Sequence, residues 1–167
     1  MVVFPDVSVY SFRFGSGVRD GSLNIGWIDV LQPFPTWDAP ATFLAKLWRY
    51  CQIPSVLWRP IRFCEKCSAN AEIPCIEYWD GGQLVLGTAE IRVLGNQGIA
   101  YAAPDLVFHF VKAHHYRPPV EFIEAVDEAS DSLSDEYKAE LVRRGYTPHP
   151  PLTELVMWPS ASERRQV

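Results

Sequence analysis

The stretch Phe63-Cys64-Glu65-Lys66-Cys67 decides how the surrounding fold is predicted, because it places two cysteines on either side of two intervening residues. A tight turn between such a pair brings both sulfur atoms to the same side of the chain, where they can bind one zinc ion. The opening residues lack the basic and apolar regions of a secretory signal, so we expect a cytoplasmic protein whose thiols stay reduced. Cys64 and Cys67 are therefore predicted to form half of a structural zinc site.

The other half of the site is predicted on a helix further along the chain. Pro104 can open this helix, and apolar residues then recur at helical spacing up to His114, with Pro118 beyond the end. The helix carries His109 and His114, and imidazole is a preferred ligand of zinc. At ~100° per residue the two side chains lie about 140° apart, so we expect that a frayed helix end is needed to bring both to one metal.

Two further residues remain alternative ligands. Cys75 can replace one histidine to give a three-Cys, one-His site, and His115 can replace His114. Cys51 falls on the apolar face of another predicted helix and is interpreted as a buried small hydrophobic residue. The preferred ligand set for Zn²⁺ consists of Cys64, Cys67, His109 and His114.

A β-hairpin is predicted between the two half-sites. Residues 75–79 (CIEYW) end at a strong turn signal, Asp80-Gly81-Gly82, and residues 83–94 then alternate between apolar and polar. A second turn at residues 95–98 (GNQG) leads to a return strand at 99–101. The order of knuckle, hairpin and helix, over about residues 61–117, resembles an enlarged version of two-Cys, two-His zinc fingers and treble clefs.

The flanking regions complete the prediction of an α+β fold. Residues 7–14 (VSVYSFRF) and 23–30 indicate two strands joined by a glycine-rich turn. Further helices are expected at about residues 40–51, after Pro118-Pro119, and from Ser132 or Ser134 to Gly145, followed by an edge strand at 152–158. We predict a single α+β domain over residues 1–158, with antiparallel hairpins and about four helices, and a flexible tail at 159–167.

Composition and charge limit the possible functions. The chain has 167 residues, of which 48% are hydrophobic, and this is enough to fill the core of one domain. The net charge of −5 has the wrong sign for binding phosphate backbones, so nucleic acid is not an expected partner. No segment approaches the ~18 uninterrupted apolar residues of a membrane span. A protein partner is the expectation that remains, and the sequence leaves the oligomeric state open.

Two alternative functions use chemistry at or near the same residues. A zinc-dependent hydrolase with an open metal site near His109 and His114 needs a general base, for which Glu90 is the only candidate acid. The position of Glu90 in an alternating strand favours a solvent-facing residue, or one that pairs with Arg92 or a neighbouring strand. A Cys-x-x-Cys redox protein needs a helix N-terminus at the motif, whereas residues 68–74 indicate a loop before a strand.

Five strings in the sequence resemble an uncharacterised family of small bacterial proteins. They are residues 24–29 (NIGWID), the Cys64 and Cys67 pair, and residues 87–93 (GTAEIRV), 101–104 (YAAP) and 114–122 (HHYRPPVEF). The resemblance covers about residues 24–126. It implies a shared fold and supports a paired Cys and His site, but it brings no established activity.

The sequence therefore favours a noncatalytic, zinc-stabilised protein-binding module over an enzyme. The proposed ligands have the number and type of a closed structural site. Small acidic bacterial proteins of this kind often neutralise a basic toxin, because complementary charge speeds association. An immunity role against a basic toxin is the most specific form of this hypothesis.

Overall fold

Four helices and six strands make up the described part of the chain, which covers residues 3–11, 21–57, 61–68, 73–129 and 131–149 of a computed structural model. The helices are α1 Ala41–Cys51, α2 Val107–His114, α3 Val120–Glu128 and α4 Asp135–Arg143. The strands are β1 Leu23–Asn24, β2 Val56–Leu57, β3 Cys75–Trp79, β4 Gly82–Leu86, β5 Ala89–Leu94 and β6 Ala100–Pro104. The predicted single α+β domain with four helices is confirmed. In these described ranges, no helix is long and apolar enough to cross a membrane.

The strands form two sheets. One has four strands in the order β1-β6-β5-β2, and the other is the β3–β4 hairpin. β5 and β6 pair in an antiparallel manner, with Ile91 opposite Ala103, which confirms the predicted return strand. β1 runs parallel to β6. The predicted strand at 7–14 lies partly outside the described residues, and its described part contributes a bridge between Val9 and Leu23. The predicted edge strand at 152–158 and tail at 159–167 lie wholly outside them.

The segment 83–94 was predicted as one strand, and the structure divides it at Gly87 and Thr88. β4 pairs with β3 before this point, and β5 joins the larger sheet after it. Gly87 has a φ of +90°, and a Cβ atom there would lie 2.0 Å from the carbonyl oxygen of Arg62. The Arg62 amide also donates to the Gly87 carbonyl at 2.7 Å. The strand breaks here because the backbone of the 61–68 loop approaches so closely that only glycine fits.

The N-terminal part of helix α2 is enclosed by the core. Every residue from Val107 to Val111 is buried, and the buried face of α1 includes Trp48 and Cys51. The rings of Trp48 and Phe108 lie 5.0 Å apart, centroid to centroid. The burial of Cys51 agrees with its interpretation as a hydrophobic residue. The predicted helix start at Pro104 was wrong, since Pro104 closes β6 and α2 begins at Val107.

Asp105 connects the start of α2 to the turn at Gly87. Its carboxylate accepts the amides of Gly87 and Thr88, at 2.7 and 3.3 Å. Burial raises the pKa of Asp105 to about 7, although these backbone hydrogen bonds act in the opposite direction. Because the same turn holds the backbone of Arg62, Asp105 fixes α2 relative to the loop that carries Cys64.

Candidate metal centre

The two predicted half-sites meet in the structure. In the loop at residues 61–68, the amides of Cys67 and Ser68 donate to the carbonyl of Cys64 at 3.2 and 2.9 Å. This tight turn brings both sulfur atoms to α2, which supplies His109 and His114. The four ligand atoms all lie within 4.8 Å of one another. The four predicted residues therefore form one group that can hold a metal ion.

The distances within this group are close to those around a tetrahedral ion. Cys64 Sγ lies 3.2 Å from His114 Nε2. Cys67 Sγ lies 3.3 Å from His114 Nε2 and 3.4 Å from His109 Nε2. With Zn–S bonds of about 2.3 Å and Zn–N bonds of about 2.0–2.1 Å, a tetrahedral site separates sulfur from nitrogen by about 3.5 Å. Small movements of these side chains are therefore enough to place a zinc ion between them.

A widened last turn of α2 brings the two histidines together. The amide of His115 donates to the carbonyl of Phe110, five residues back instead of the four of a regular α-helix. His115 then ends the helix with a φ of +57°. A wider turn rotates less per residue, so His114 returns toward the face of His109, and their ring centroids lie 4.9 Å apart. The expected fraying is not found, because His114 is still within the helix.

The alternative ligands lie outside the group of four. His115 is exposed, and its Nδ1 is 3.1 Å from a carboxylate oxygen of Asp38. Cys75 belongs to a neighbouring group with Glu77 and His109, whose potential ligand atoms are also within 4.8 Å of one another. Cys75 is therefore adjacent to the site, while His115 points to a different part of the surface.

The charges in the group favour thiolate formation. Burial opposes ionisation of Cys64, but hydrogen bonds from His109 and from the Cys67 amide lower the pKa of its thiol below the usual value. Burial also disfavours a charged His109, yet hydrogen bonds to Cys64, Cys75 and Glu77 raise its pKa to about 12. Burial and the nearby charge of His109 lower the pKa of His114. A metal ion that binds here would displace the protons that these thiols and imidazoles share.

Glu77 is the residue at this site that the sequence analysis did not identify. Its Oε1 lies 2.6 Å from His109 Nδ1, and its Oε2 accepts from Lys112 Nζ at 2.6 Å. These two hydrogen bonds lower the pKa of Glu77, although burial acts against them. Strand periodicity contained a signal, because Glu77 is two residues after Cys75 and therefore shares its face of β3.

Glu90 and the loop at residues 61–68 are the parts of the structure on which the hydrolase and redox hypotheses depend. Glu90, the candidate general base, is fully buried, accepts from the hydroxyl of Tyr10 at 2.8 Å and pairs with Arg92 at 2.7 Å. Its predicted pairing with Arg92 is confirmed, and its predicted exposure to solvent is wrong. Burial raises the pKa of Glu90. Residues 61–68 contain a turn and no helix that could activate Cys64.

Comparison with known proteins identifies the family. The family profile described as a domain of unknown function (DUF7919) matches residues 2–127, and the chain belongs to this family. The match includes all four residues of the metal-binding group and confirms the expectation of an uncharacterised family. Searches of curated proteins and of solved structures gave no match.

Proposed function

We propose that Cys64, Cys67, His109 and His114 bind one Zn²⁺ ion as a structural cross-link in a noncatalytic protein-binding module. The observation that carries the proposal is the convergence of two thiols and two imidazoles from positions distant in sequence, with sulfur–nitrogen distances of 3.2 to 3.4 Å. Two thiols and two imidazoles complete the tetrahedral ligand set of a closed zinc site. All four cysteines are free, which fits a reducing cytoplasm.

The cross-link would act where regular structure is sparse. The described loop at residues 61–68 contains neither helix nor strand, whereas α2 is embedded in the core. A metal bound by both ties this loop to the most buried helix. Structural zinc contributes about 10–16 kcal/mol of apparent folding free energy in small finger peptides. Even about 5 kcal/mol corresponds to about 10–20 °C in Tm for a chain of this size.

Metal analysis of the purified protein tests this proposal. We expect one zinc ion per chain, a Co²⁺ derivative with thiolate charge-transfer absorption, and a fall in Tm of more than about 10 °C after chelation. Cys64→Ser and His109→Ala should lose zinc and show a fall in Tm similar to that of the chelated protein. His149→Ala, which removes a histidine outside the group, is the matched control and should keep the zinc and the wild-type Tm.

Two results would contradict a structural role. A chelated protein with unchanged Tm would show that the fold does not depend on the metal. Cys64→Ser and His109→Ala variants that lack zinc but keep the wild-type Tm would instead favour an open, catalytic site, the arrangement expected of a zinc-dependent hydrolase.

The proposed partner is a basic protein, with a toxin in a bacterial cell as the specific case. The net charge of −5 supports this choice. The exposed side chains of α3 include four carboxylates: Glu121, Glu124, Asp127 and Glu128. Such a surface attracts a basic partner and increases the association rate at low salt. Calorimetry against the product of the adjacent gene should show binding that weakens with salt, and the absence of binding would reject the immunity role.

A further inference from the structure

His109 is held at both of its ring nitrogens. Nε2 faces the sulfur of Cys67 at 3.4 Å, and Nδ1 lies 2.6 Å from Oε1 of Glu77. A neutral imidazole that offers Nε2 to a metal carries its proton on Nδ1. Nδ1–H then donates to Glu77, which is only 8% exposed. The carboxylate can therefore select both the tautomer and the orientation of the ring.

Lys112 holds Glu77 in this position. Its Nζ donates to Oε2 of Glu77 at 2.6 Å and to the carbonyl of Tyr78 at 3.2 Å. Lys112 follows His109 by three residues on α2, so the two side chains lie on neighbouring positions of the helix surface. The carboxylate of Glu77, on β3, thus forms hydrogen bonds with two residues of α2.

A second metal ion at Cys75, Glu77 and His109 is the competing interpretation of this arrangement. The three residues bring potential ligand atoms within 4.8 Å of one another. However, Oε2 of Glu77 already accepts from the ammonium group of Lys112. Nδ1 of His109 also has to keep its proton if Nε2 binds the first metal. These two facts favour one ion per chain and a supporting role for Glu77.

We propose that Glu77 is a positioning residue that presents His109 Nε2 to the metal, with Lys112 as its counter-charge. This inference rests on the metal site proposed above. Carboxylates that accept the second N–H of a metal-bound histidine orient the ring and increase its basicity. Loss of such a partner typically lowers metal affinity about 10- to 100-fold. The contribution comes from a residue that does not itself touch the metal.

The test compares metal affinity and ring tautomer in variants of the full chain. Zn²⁺ dissociation constants are measured by competition with a chromophoric chelator. Glu77→Ala should weaken binding about 10- to 100-fold. Glu77→Gln, which keeps an acceptor but removes the charge, should fall between Glu77→Ala and the wild type. Glu136→Ala on the exposed surface of α4 is the matched control and should match the wild type.

Imidazole ¹H–¹⁵N spectra separate positioning from general stability. In the zinc-loaded wild type, His109 should show a metal-bound Nε2 and an Nδ1 proton protected from exchange with water. Glu77→Ala should lose this protection while the fold is retained. If Glu77→Ala does not fold, Glu77→Gln supplies the result: wild-type affinity together with an unchanged His109 spectrum would overturn the inference.

The outcomes also separate this inference from the metal proposal. A wild type that binds neither Zn²⁺ nor Co²⁺ overturns both. A wild type that binds one ion, with Glu77→Ala or Glu77→Gln at the same affinity, overturns only the role of Glu77. Two zinc ions per chain, with the second lost in Cys75→Ser, would show that Glu77 is a ligand instead.

Discussion

The hairpin region and the main sheet each contain a buried glutamate, and the two have different consequences. On β3, Glu77 accepts from His109 and Lys112. On β5, Glu90 accepts from Tyr10 and Arg92. An imidazole bound at one nitrogen still has a second nitrogen for a metal, whereas a phenol and a guanidinium offer no comparable ligand. The hydrogen-bond partner, more than burial, therefore decides whether a buried carboxylate can support a metal site.

Glu90, Arg92 and Tyr10 form a cluster on the main sheet. This cluster is more enclosed than the candidate metal centre beside the hairpin. Glu90 is 0% exposed and Arg92 is 2% exposed, while Cys67 and part of His114 reach the surface. The guanidinium of Arg92 lies over the rings of Tyr10 and Tyr146, at 4.7 and 5.1 Å from their centroids. The charge of Arg92 is thus compensated inside the fold. We interpret the Glu90 cluster as part of the packed core and the hairpin cluster as the candidate metal centre.

Removal of the Glu90 carboxylate should give the largest effect among the substitutions that leave the metal ligands in place, and it tests this division directly. Glu90→Ala leaves the buried charge of Arg92 without its carboxylate, and such losses cost about 3–5 kcal/mol of unfolding free energy. Denaturant unfolding of the zinc-loaded protein measures this cost, with Glu90→Gln as a milder variant and the exposed Glu124→Ala as the control.

Metal binding should be unchanged by this loss of stability. We expect zinc content and the Co²⁺ spectrum of the folded Glu90 variants to match the wild type, because Glu90 contacts Tyr10 and Arg92 and belongs to neither group of potential ligands. A folded Glu90→Gln protein with an altered Co²⁺ spectrum would show that the two glutamates do not have separate roles. It would also revive the hydrolase hypothesis, in which Glu90 acts beside the metal.

The metal-binding group was predictable from sequence because its signals are local. Two cysteines around a two-residue turn meet for geometric reasons, and His109 and His114 share one predicted helix. What the sequence did not contain is the wider last turn of α2. That turn depends on the backbone conformation of His115, which has a positive φ although it is not glycine.

The role of Glu77 and the burial of Glu90 were not predictable, because they depend on contacts between distant segments. Alternation shows that Glu90 shares a face with Arg92, but β5 lies between β6 and β2 and all but one of its residues are buried. Polar residues on such a strand do not mark the solvent side. The break at Gly87 likewise follows from the approach of Arg62, a residue far from it in sequence.

Asp105 links the two regions, and its ionisation should change stability by a smaller amount between pH 5 and pH 7.5. Its pKa in the folded protein is raised to about 7 by burial, well above the ordinary value of 3.8 for an exposed aspartate. At pH values between 3.8 and about 7, the folded protein binds more protons than the unfolded chain. The stability contributed by this group is therefore present at low pH and declines as pH rises toward 7. Above about pH 7 the difference should stay constant.

Two measurements check this dependence. The ¹³C shift of the Asp105 carboxyl should titrate with a midpoint near 7. In denaturant unfolding, the stability of the wild type relative to Asp105→Asn should decrease between pH 5 and pH 7.5. The pH dependence of zinc binding affects both proteins and cancels in this difference. A midpoint below 5, or a constant difference, would show that the hydrogen bonds from Gly87 and Thr88 outweigh burial.

Substitution of the two alternative ligands should have the smallest effect. It tests which residues belong to the metal-binding group. His115→Ala removes an exposed side chain beside Asp38, so we expect wild-type zinc content and a change in unfolding free energy within about 0.5 kcal/mol. Cys75→Ser leaves the four proposed ligands in place, and one zinc ion per chain should remain.

If Cys75→Ser loses the ion while His114→Ala retains it, the true set is Cys64, Cys67, Cys75 and His109. In that arrangement His109 still needs a fixed ring, so the Glu77 hydrogen bond would keep its role even though the fourth ligand had been assigned to the wrong residue.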